Sequence, residues 1–213
     1  MVKYLDSQTD LFSEVNWSVL FKFETNEKYN NFFLSNIDKY KVLYGNAETD
    51  GKIKNIIGKE IKNAADKKDE KALENALAMI DKYIKEDAEQ QKLSYKMGYY
   101  QQTKDWNAYG KTASMYVDKY AMNDPNTLNQ FAWDFYENIS DKLLLASAEL
   151  WAKKSVELKD ESANNDTYAS ILYKLGKKDE AMKAAEHAIE LGKREKANVK
   201  STEDLLEKIK LMK

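Results

Sequence analysis

Few residues of this 213-residue chain have the type and spacing that chemistry needs. His187 is the only histidine, and the chain has no cysteine. An isolated histidine lacks the further ligands of a metal site and the orienting partner of a general base. Without cysteine, disulfides, thiolate catalysis and cysteine-ligated zinc are excluded. We therefore expect no catalytic residue, no metal site and no cofactor, and an enzyme is the least favoured class of function.

The segment most similar to a nucleotide-binding motif contains Gly45, Gly51 and Lys52. A phosphate-binding loop has four residues between its glycines and a hydroxyl residue after its lysine. Here five residues separate the glycines, and Ile53 follows the lysine. We interpret residues 45–51 as a plain loop and as the boundary between two parts of the chain.

The charge balance argues against a nucleic-acid partner. Lysine and arginine together number 34 against 36 acidic residues, which gives a formal net charge of -2. Arg194 is the only arginine, whereas bidentate reading of guanine and phosphate depends on that side chain.

No apolar run approaches the roughly 18 residues of a membrane span, so we expect a soluble protein without membrane insertion. The sequence does not decide between a cytoplasmic and a periplasmic location. It also does not decide whether a signal or a further domain precedes Met1.

The clearest structural pattern is a helical hairpin in residues 165–191. Apolar residues recur in its first half at the three- and four-residue spacing of a helix face. Gly176 ends this helix, because glycine adopts the left-handed backbone conformation without a Cβ clash. The second helix carries Ala181, Ala185 and Ala188 on one edge, where small side chains let a neighbouring helix approach closely.

Weaker signals predict helices through the rest of the chain. Asn26, Asp105, Ser201 and the pair Asp124-Pro125 are typical of helix starts. Residues 193–200 are predicted to be a mobile connector. The fold class is therefore all-α, with two or three short helices in an N-terminal segment, residues 1–45. A repeat domain, residues 51–213, holds helix pairs at about 51–86, 89–121, 124–159 and 163–192, and a capping helix at 201–213.

The C-terminal hairpin resembles the tetratricopeptide repeat, on the residues Ala169, Gly176, Ala181, Ala188 and Leu191. Equivalent residues of the last two pairs are 33 apart, close to the repeat length of about 34 in that family. The resemblance implies a right-handed superhelical stack of helix hairpins that binds a protein or an extended peptide in a concave groove. The residues that this resemblance places in the groove are Asn129, Trp133, Tyr136, Glu137, Asp166, Ser170, Tyr173 and Lys174, and Gln101 and Gln102 would continue the surface.

The polarity of this surface restricts the kind of peptide. Amide, hydroxyl and aromatic groups suit an extended peptide, with tyrosine and tryptophan as anchors. Some tetratricopeptide proteins clamp a C-terminal carboxylate with lysine and asparagine. Here Glu137 and Asp166 would repel one, so we do not expect a chaperone-adaptor role.

A second resemblance covers more of the chain. Residues 16–23, NWSVLFKF, are followed by residues 32–33, FF, by residues 37–45, IDKYKVLYG, and then by the repeat pairs. This succession is similar to the helical C-terminal extension of certain bacterial thioredoxin-fold proteins. It implies a structural or regulatory helical domain that packs on an upstream thioredoxin-like domain. No CxxC motif is present, so no oxidoreductase activity follows. An exposed patch of Phe12, Trp17, Phe21 and Phe23 would favour this docking function, whereas Trp133 and Tyr136 in a groove would favour peptide binding.

Overall fold

The computed structural model describes residues 2–23 and 26–213, and the chain is all-helical within them. These residues form thirteen helices and no strand, with a helix content of 82%. The all-α prediction is confirmed, and the packed helix pairs are compatible with a tetratricopeptide-like repeat. No described helix is both long and apolar enough to cross a bilayer. The helices are α1 Val2–Asp6, α2 Glu14–Lys22, α3 Glu27–Ser35, α4 Ile37–Tyr44, α5 Asn46–Lys67, α6 Glu70–Tyr83, α7 Ala88–Thr103, α8 Trp106–Tyr120, α9 Pro125–Asn138, α10 Lys142–Leu158, α11 Ser162–Leu175, α12 Lys178–Glu195 and α13 Lys200–Lys210.

The chain divides into two compact units, residues 1–95 and residues 96–213. We call them the N-terminal and the C-terminal unit. The change from one to the other falls inside α7. The predicted division into residues 1–45 and 51–213 stays a prediction.

The N-terminal unit begins with a cluster of aromatic side chains. Trp17 on α2 is 3% exposed, and its ring centroid lies 5.0 Å from those of Tyr40 and Tyr44. The indole Nε1 of Trp17 donates a hydrogen bond to Glu48 Oε2 at 3.1 Å. The Tyr40 hydroxyl donates to the carbonyl of Leu11 at 2.9 Å. The segment has four short helices rather than the expected two or three, and rings whose polar atoms have partners join α2 to α4.

The prediction of a loop over residues 45–51 is wrong. Gly45 ends α4 with a φ of 86°, and α5 begins at the very next residue. Gly51 therefore lies inside a helix, where a Cβ would meet the ring of Phe21 at 3.8 Å. Lys52 is 4% exposed, so the resemblance to a phosphate loop has no structural counterpart. A glycine that ends one helix can adjoin the start of the next, and the sequence pattern could not distinguish this corner from a loop.

The pair α5/α6 forms the remaining interior of this unit. Its isoleucine and leucine side chains recur at helical spacing on facing surfaces. Asp69 caps α6 by accepting a hydrogen bond from the Ala72 N–H at 2.9 Å. The fully or almost fully buried residues of the pair include Ile53, Ile56, Ile57, Ile61, Leu73, Ala76, Leu77 and Ile80.

Aspartate side chains start three helices of the C-terminal unit. Asp105, Asp124 and Asp141 each accept backbone N–H hydrogen bonds at the first turns of α8, α9 and α10. Pro125 occupies the first turn of α9, where a missing N–H costs nothing. The starts predicted at Asp105 and Asp124 are confirmed.

The second helices of the last two pairs bury small residues at equivalent positions. Ala148, Ala152 and Ser155 on α10 are each 0% exposed. The residues 33 positions later on α12 are Ala181, Ala185 and Ala188, and they are also 0% exposed. The prediction that small residues mark a close helix contact is confirmed for this edge of α12.

The end of the chain differs from the prediction in its boundaries. Gly176 has a φ of 82° and ends α11 as expected, but α11 begins at Ser162. Helix α12 continues to Glu195, into the segment predicted as a mobile connector. Val199, and not Ser201, occupies the N-cap of α13, which begins at Lys200. Ser201 therefore lies within the first turn of α13 and does not cap it.

Candidate functional site

An open cavity of about 530 Å3 is lined by α9, α11 and α13 of the C-terminal unit. Asn129, Trp133 and Tyr136 reach it from one face of α9, because they are four and three residues apart. Asp166 and Ser170 reach it from α11 with the same four-residue spacing. These five belong to the ten residues predicted to line a binding groove, and we call this cavity the groove.

The other five predicted residues do not line the groove. Glu137 is exposed beside it, and Tyr173 packs partly buried against the alanine-rich core of α11, α12 and α13. The Lys174 ammonium donates to the carbonyl of Tyr136 and lies 5.5 Å from the centroid of that ring. Gln101 and Gln102 are exposed in the last turn of α7.

Sequence reasoning missed the wall that α13 contributes. Ser201, Leu205 and Lys208 line the groove from one face of this helix, since they are four and three residues apart. The sequence indicated a capping helix with a charged outer face, but not which residues it would turn toward α9 and α11. The remaining lining residues are Gln130, Ala163 and Thr167.

A hydrogen bond joins α13 to the floor of the groove. The hydroxyl of Thr202, which is 4% exposed, donates to Asp166 Oδ1 at 2.6 Å. Burial raises the pKa of the Asp166 carboxyl, and the Thr202 hydrogen bond opposes that rise. The raised pKa means that the carboxylate gives up water contact on folding without gaining a full set of partners.

Asn129 carries an unpaired acceptor at the same place. Its Oδ1 is fully buried and accepts no hydrogen bond from the residues that the structure describes. Leaving a buried acceptor unpaired costs about 1–3 kcal/mol, so such atoms are rare in folded proteins. A bound molecule that supplied a donor would remove this cost.

Trp133 and Tyr136 form an aromatic wall of the groove. Their ring centroids are 5.1 Å apart at an interplanar angle of 42°, and both side chains are only partly buried. Burial raises the pKa of the Tyr136 hydroxyl, and the carboxylates of Asp166 and Glu137 raise it further. The groove thus combines an aromatic surface with the Asp166 carboxylate from α11 and the Lys208 ammonium from α13.

The single histidine lies outside this groove. His187 Nε2 is 3.0 Å from Asp160 Oδ1 and 3.1 Å from Asp160 Oδ2, and the His187 side chain is 41% exposed. Asn165 Nδ2 also donates to Asp160 Oδ1, at 2.8 Å. Among the described residues no three histidine, aspartate or glutamate side chains are grouped to hold a metal ion. The arrangement ties α12 to the turn before α11.

The four aromatic residues considered as a docking patch do not form an exposed surface. Trp17 is 3% exposed, and Phe12 and Phe21 are partly buried. Phe23 alone is largely exposed, at 48%. These four residues therefore do not provide the exposed patch that would have favoured docking. Docking of the N-terminal unit on another domain stays a prediction.

The N-terminal unit has a second open cavity of about 530 Å3, lined by α3, α5, α6 and the residue before α3. Its polar groups are mostly amides, and its apolar groups include Leu34, Ile56 and Met79. No aromatic side chain lines it among the described residues. We call it the amide cleft, and its asparagines are Asn26, Asn30, Asn31, Asn63 and Asn75.

The comparisons with known proteins found no match. No family model fits the chain, and no curated protein or solved structure is significantly similar to it. The functional assignment therefore depends on the residues of the groove.

Proposed function

We propose that this protein is a tetratricopeptide-like, non-catalytic interaction module that binds a protein or an extended peptide segment in the groove of its C-terminal unit. The observation that carries the proposal is the convergence of Asn129, Trp133, Tyr136, Asp166 and Ser170 on one cavity. The repeat resemblance, which uses no spatial information, assigns the same residues to a binding surface.

The physical character of the groove fits a peptide. Partly exposed tryptophan and tyrosine side chains are frequent anchors of protein interfaces, because each buries a large area at a small cost in side-chain entropy. Amide and hydroxyl groups beside them pair with the N–H and C=O groups of an extended backbone. A volume of about 530 Å3 is large enough to take one or two side chains of a longer ligand.

The amide cleft is the less favoured site. It has the same volume, but it lacks an aromatic anchor among its lining residues. Interface energy is usually concentrated in a few tryptophan, tyrosine and arginine side chains, so the groove has the stronger anchors.

Selection from a phage-displayed library of random dodecapeptides tests the proposal. The full chain is immobilised, and enriched peptides are synthesised and titrated by fluorescence anisotropy against wild type and against the double variant Trp133→Ala, Tyr136→Ala. We expect peptides that bind wild type and lose at least roughly a hundredfold in affinity on the double variant, because two anchors are removed.

The matched control is the double variant Trp106→Ala, Tyr120→Ala. It also removes one tryptophan and one tyrosine that are partly buried in the C-terminal unit, but neither lines the groove. Circular dichroism and thermal melting establish that both double variants remain folded. If every selected peptide binds the groove variant as well as it binds wild type, the groove is not the binding site.

A further inference from the structure

Two residues that line the groove carry acceptor atoms that accept few or no hydrogen bonds from the described residues. Asn129 Oδ1 is buried and unpaired within the described part of the chain. The carboxylate of Asp166 accepts one hydrogen bond from a described residue, that of Thr202, and this bond uses Oδ1. A ligand group rich in N–H donors would therefore satisfy more of the groove than one rich in acceptors.

The two acceptors occupy corresponding positions on their helices. Asn129 and Trp133 are separated by one helical turn on α9, and Asp166 and Ser170 are separated in the same way on α11. The chain distance from Asn129 to Asp166 equals that from Trp133 to Ser170. Both pairs line one cavity, so Asn129 and Asp166 face a common ligand.

The aromatic wall already attracts a cation from the protein itself. Lys174 Nζ lies 5.5 Å from the centroid of Tyr136 while it donates to the carbonyl of the same residue. Burial lowers the pKa of Lys174, so the ammonium gives up water to reach this position. Ring faces attract cations electrostatically, and tryptophan, here Trp133, does so more strongly than tyrosine.

We infer that the groove selects an arginine side chain of its peptide partner, with the guanidinium group held by Asp166 and Asn129 and stacked on the Trp133–Tyr136 pair. The inference rests on the proposed function and names the ligand side chain. Rotation of the Asn129 amide about its terminal torsion, which has a broad preference, turns Oδ1 toward the ligand.

Arginine fits these groups better than lysine does. The planar guanidinium has five N–H donors in a fixed fork and stacks on aromatic rings, so it serves two acceptors and a ring together. A lysine ammonium is a compact, strongly hydrated charge with no planar face. Lys208 also lines the groove, but among the described residues it is Thr202, and not Lys208, that bonds to Asp166.

The test compares peptides that differ only in one side chain. From the dodecapeptides that need Trp133 and Tyr136, an arginine-containing sequence is resynthesised with that arginine replaced by lysine or by citrulline, which keeps the shape but has no charge. On wild type we expect the citrulline peptide to bind roughly tenfold to a hundredfold more weakly, as for a charge-assisted hydrogen bond. The lysine peptide should fall between the two.

Protein variants identify the partner of the guanidinium. Asp166→Asn keeps an acceptor for Thr202, and on this variant the arginine and citrulline peptides should bind within roughly threefold of each other. Asn129→Asp adds a second carboxylate and should strengthen binding of the arginine peptide by several-fold. Asp118→Asn, at an exposed position of α8 outside the groove lining, is the control and should retain the full discrimination.

Two results would overturn the inference, and they differ in what they say about the groove. Peptides that require Trp133 and Tyr136 but carry no selected arginine, or that ignore Asp166→Asn, contradict the arginine inference and leave the proposed function intact. A selection that yields no peptide dependent on Trp133 and Tyr136 contradicts both.

Discussion

The two units of this protein fill parts of their interiors with opposite kinds of side chain. In the N-terminal unit, Trp17 and Tyr40 are 3% and 0% exposed within a cluster of aromatic rings. Between α11 and α12 of the C-terminal unit, Ala169, Ala181 and Ala185 are each 0% exposed. Large rings hold short helices together through a few big contacts, whereas alanines hold longer helices together by letting their backbones approach.

The groove and the amide cleft show the opposite contrast, although another open cavity of the N-terminal unit is lined by Trp17, Phe21 and Tyr44. The amide cleft of the N-terminal unit has no aromatic lining residue in the part of the chain that the structure describes. The groove of the C-terminal unit has Trp133 and Tyr136 in its wall. Fourteen tyrosines and four tryptophans are therefore not one population. The role of an aromatic residue is therefore indicated by the helix face on which it lies, and not by the number of aromatic residues in the chain.

Removal of a ring from the N-terminal cluster should have the largest effect on stability. Trp17→Ala is expected to lower the free energy of unfolding by about 3–5 kcal/mol, because a large buried side chain leaves a cavity. Urea denaturation followed by circular dichroism measures it. Phe23→Ala, at a position 48% exposed, is the control and should cost much less. Equal losses for the two variants would show that the ring cluster is not the main support of this unit.

Adding a ring to the alanine contact should have the next largest effect. Ala181→Trp is expected to cost about 1–3 kcal/mol and to lower the melting temperature, since its Cβ lies in a fully packed contact. Ala146→Trp, at an exposed position of α10, should change stability little. A variant at position 181 that melts like wild type would contradict close packing of α12.

The turns that follow α11 and α5 offer a smaller contrast, in which opposite substitutions should have opposite effects on stability. Gly176 ends α11 with a φ of 82°, and Lys68 ends α5 with a φ of 53°. The residue after each donates its N–H to a carbonyl five residues earlier, at 2.9 Å and 2.8 Å. Because left-handed backbone is costly for residues with a Cβ, Gly176→Ala should lose about 1 kcal/mol and Lys68→Gly should gain a few tenths. Thermal melts that moved in the same direction for both variants would refute this account of the two turns.

The pH dependence of stability gives the subtlest contrast. Burial, with a contribution from Lys59, lowers the pKa of Lys52 to about 8. Between that pH and the ordinary lysine value of 10.5 this side chain binds more protons in the unfolded state, so its contribution to the free energy of unfolding should rise with pH. Burial raises the pKa of Asp166 above its ordinary 3.8, so its contribution should instead rise as the pH falls through the raised value.

Two variants separate these opposite trends. Lys52→Met should reduce the increase in the free energy of unfolding with pH in the alkaline range and leave the acidic range unchanged. Asp166→Asn should remove its pH dependence in the acidic range and leave the alkaline range unchanged. Urea denaturation at closely spaced pH values measures both ranges. If the free energy of unfolding of Lys52→Met rose with alkaline pH as steeply as that of wild type, groups other than Lys52 would be responsible for the rise.

The sequence revealed the elements whose signals are local. Asp124 and Pro125 marked the start of α9, and Gly176 marked the end of α11, because a cap acts within one helical turn. The turn at Lys68 has the same hydrogen bonds as the one at Gly176, yet lysine gives no such signal. The Ala181 edge was predictable because small residues at helical spacing let two helix backbones approach, whereas larger side chains would overpack the contact.

The features that depend on distant contacts could not be predicted. Residues 45–51 resemble a loop in isolation, and distant contacts such as the ring of Phe21 near Gly51 and the Trp17–Glu48 hydrogen bond show that this part of α5 is packed. Five of the lining residues on α9 and α11 are among the ten that the repeat resemblance assigned to a binding surface. The lining residues on α13 are not, because the contact of Thr202 with Asp166 joins residues that no local pattern relates.

Site-specific photocrosslinking compares the two cavities directly. A benzoylphenylalanine is introduced at Gln130 in the lining of the groove or at Asn75 in the lining of the amide cleft, both exposed positions, and each protein is irradiated with a selected dodecapeptide. We expect a crosslink from position 130, abolished by excess unlabelled peptide, and none from position 75. A crosslink from position 75 without one from position 130 would contradict peptide binding in the groove.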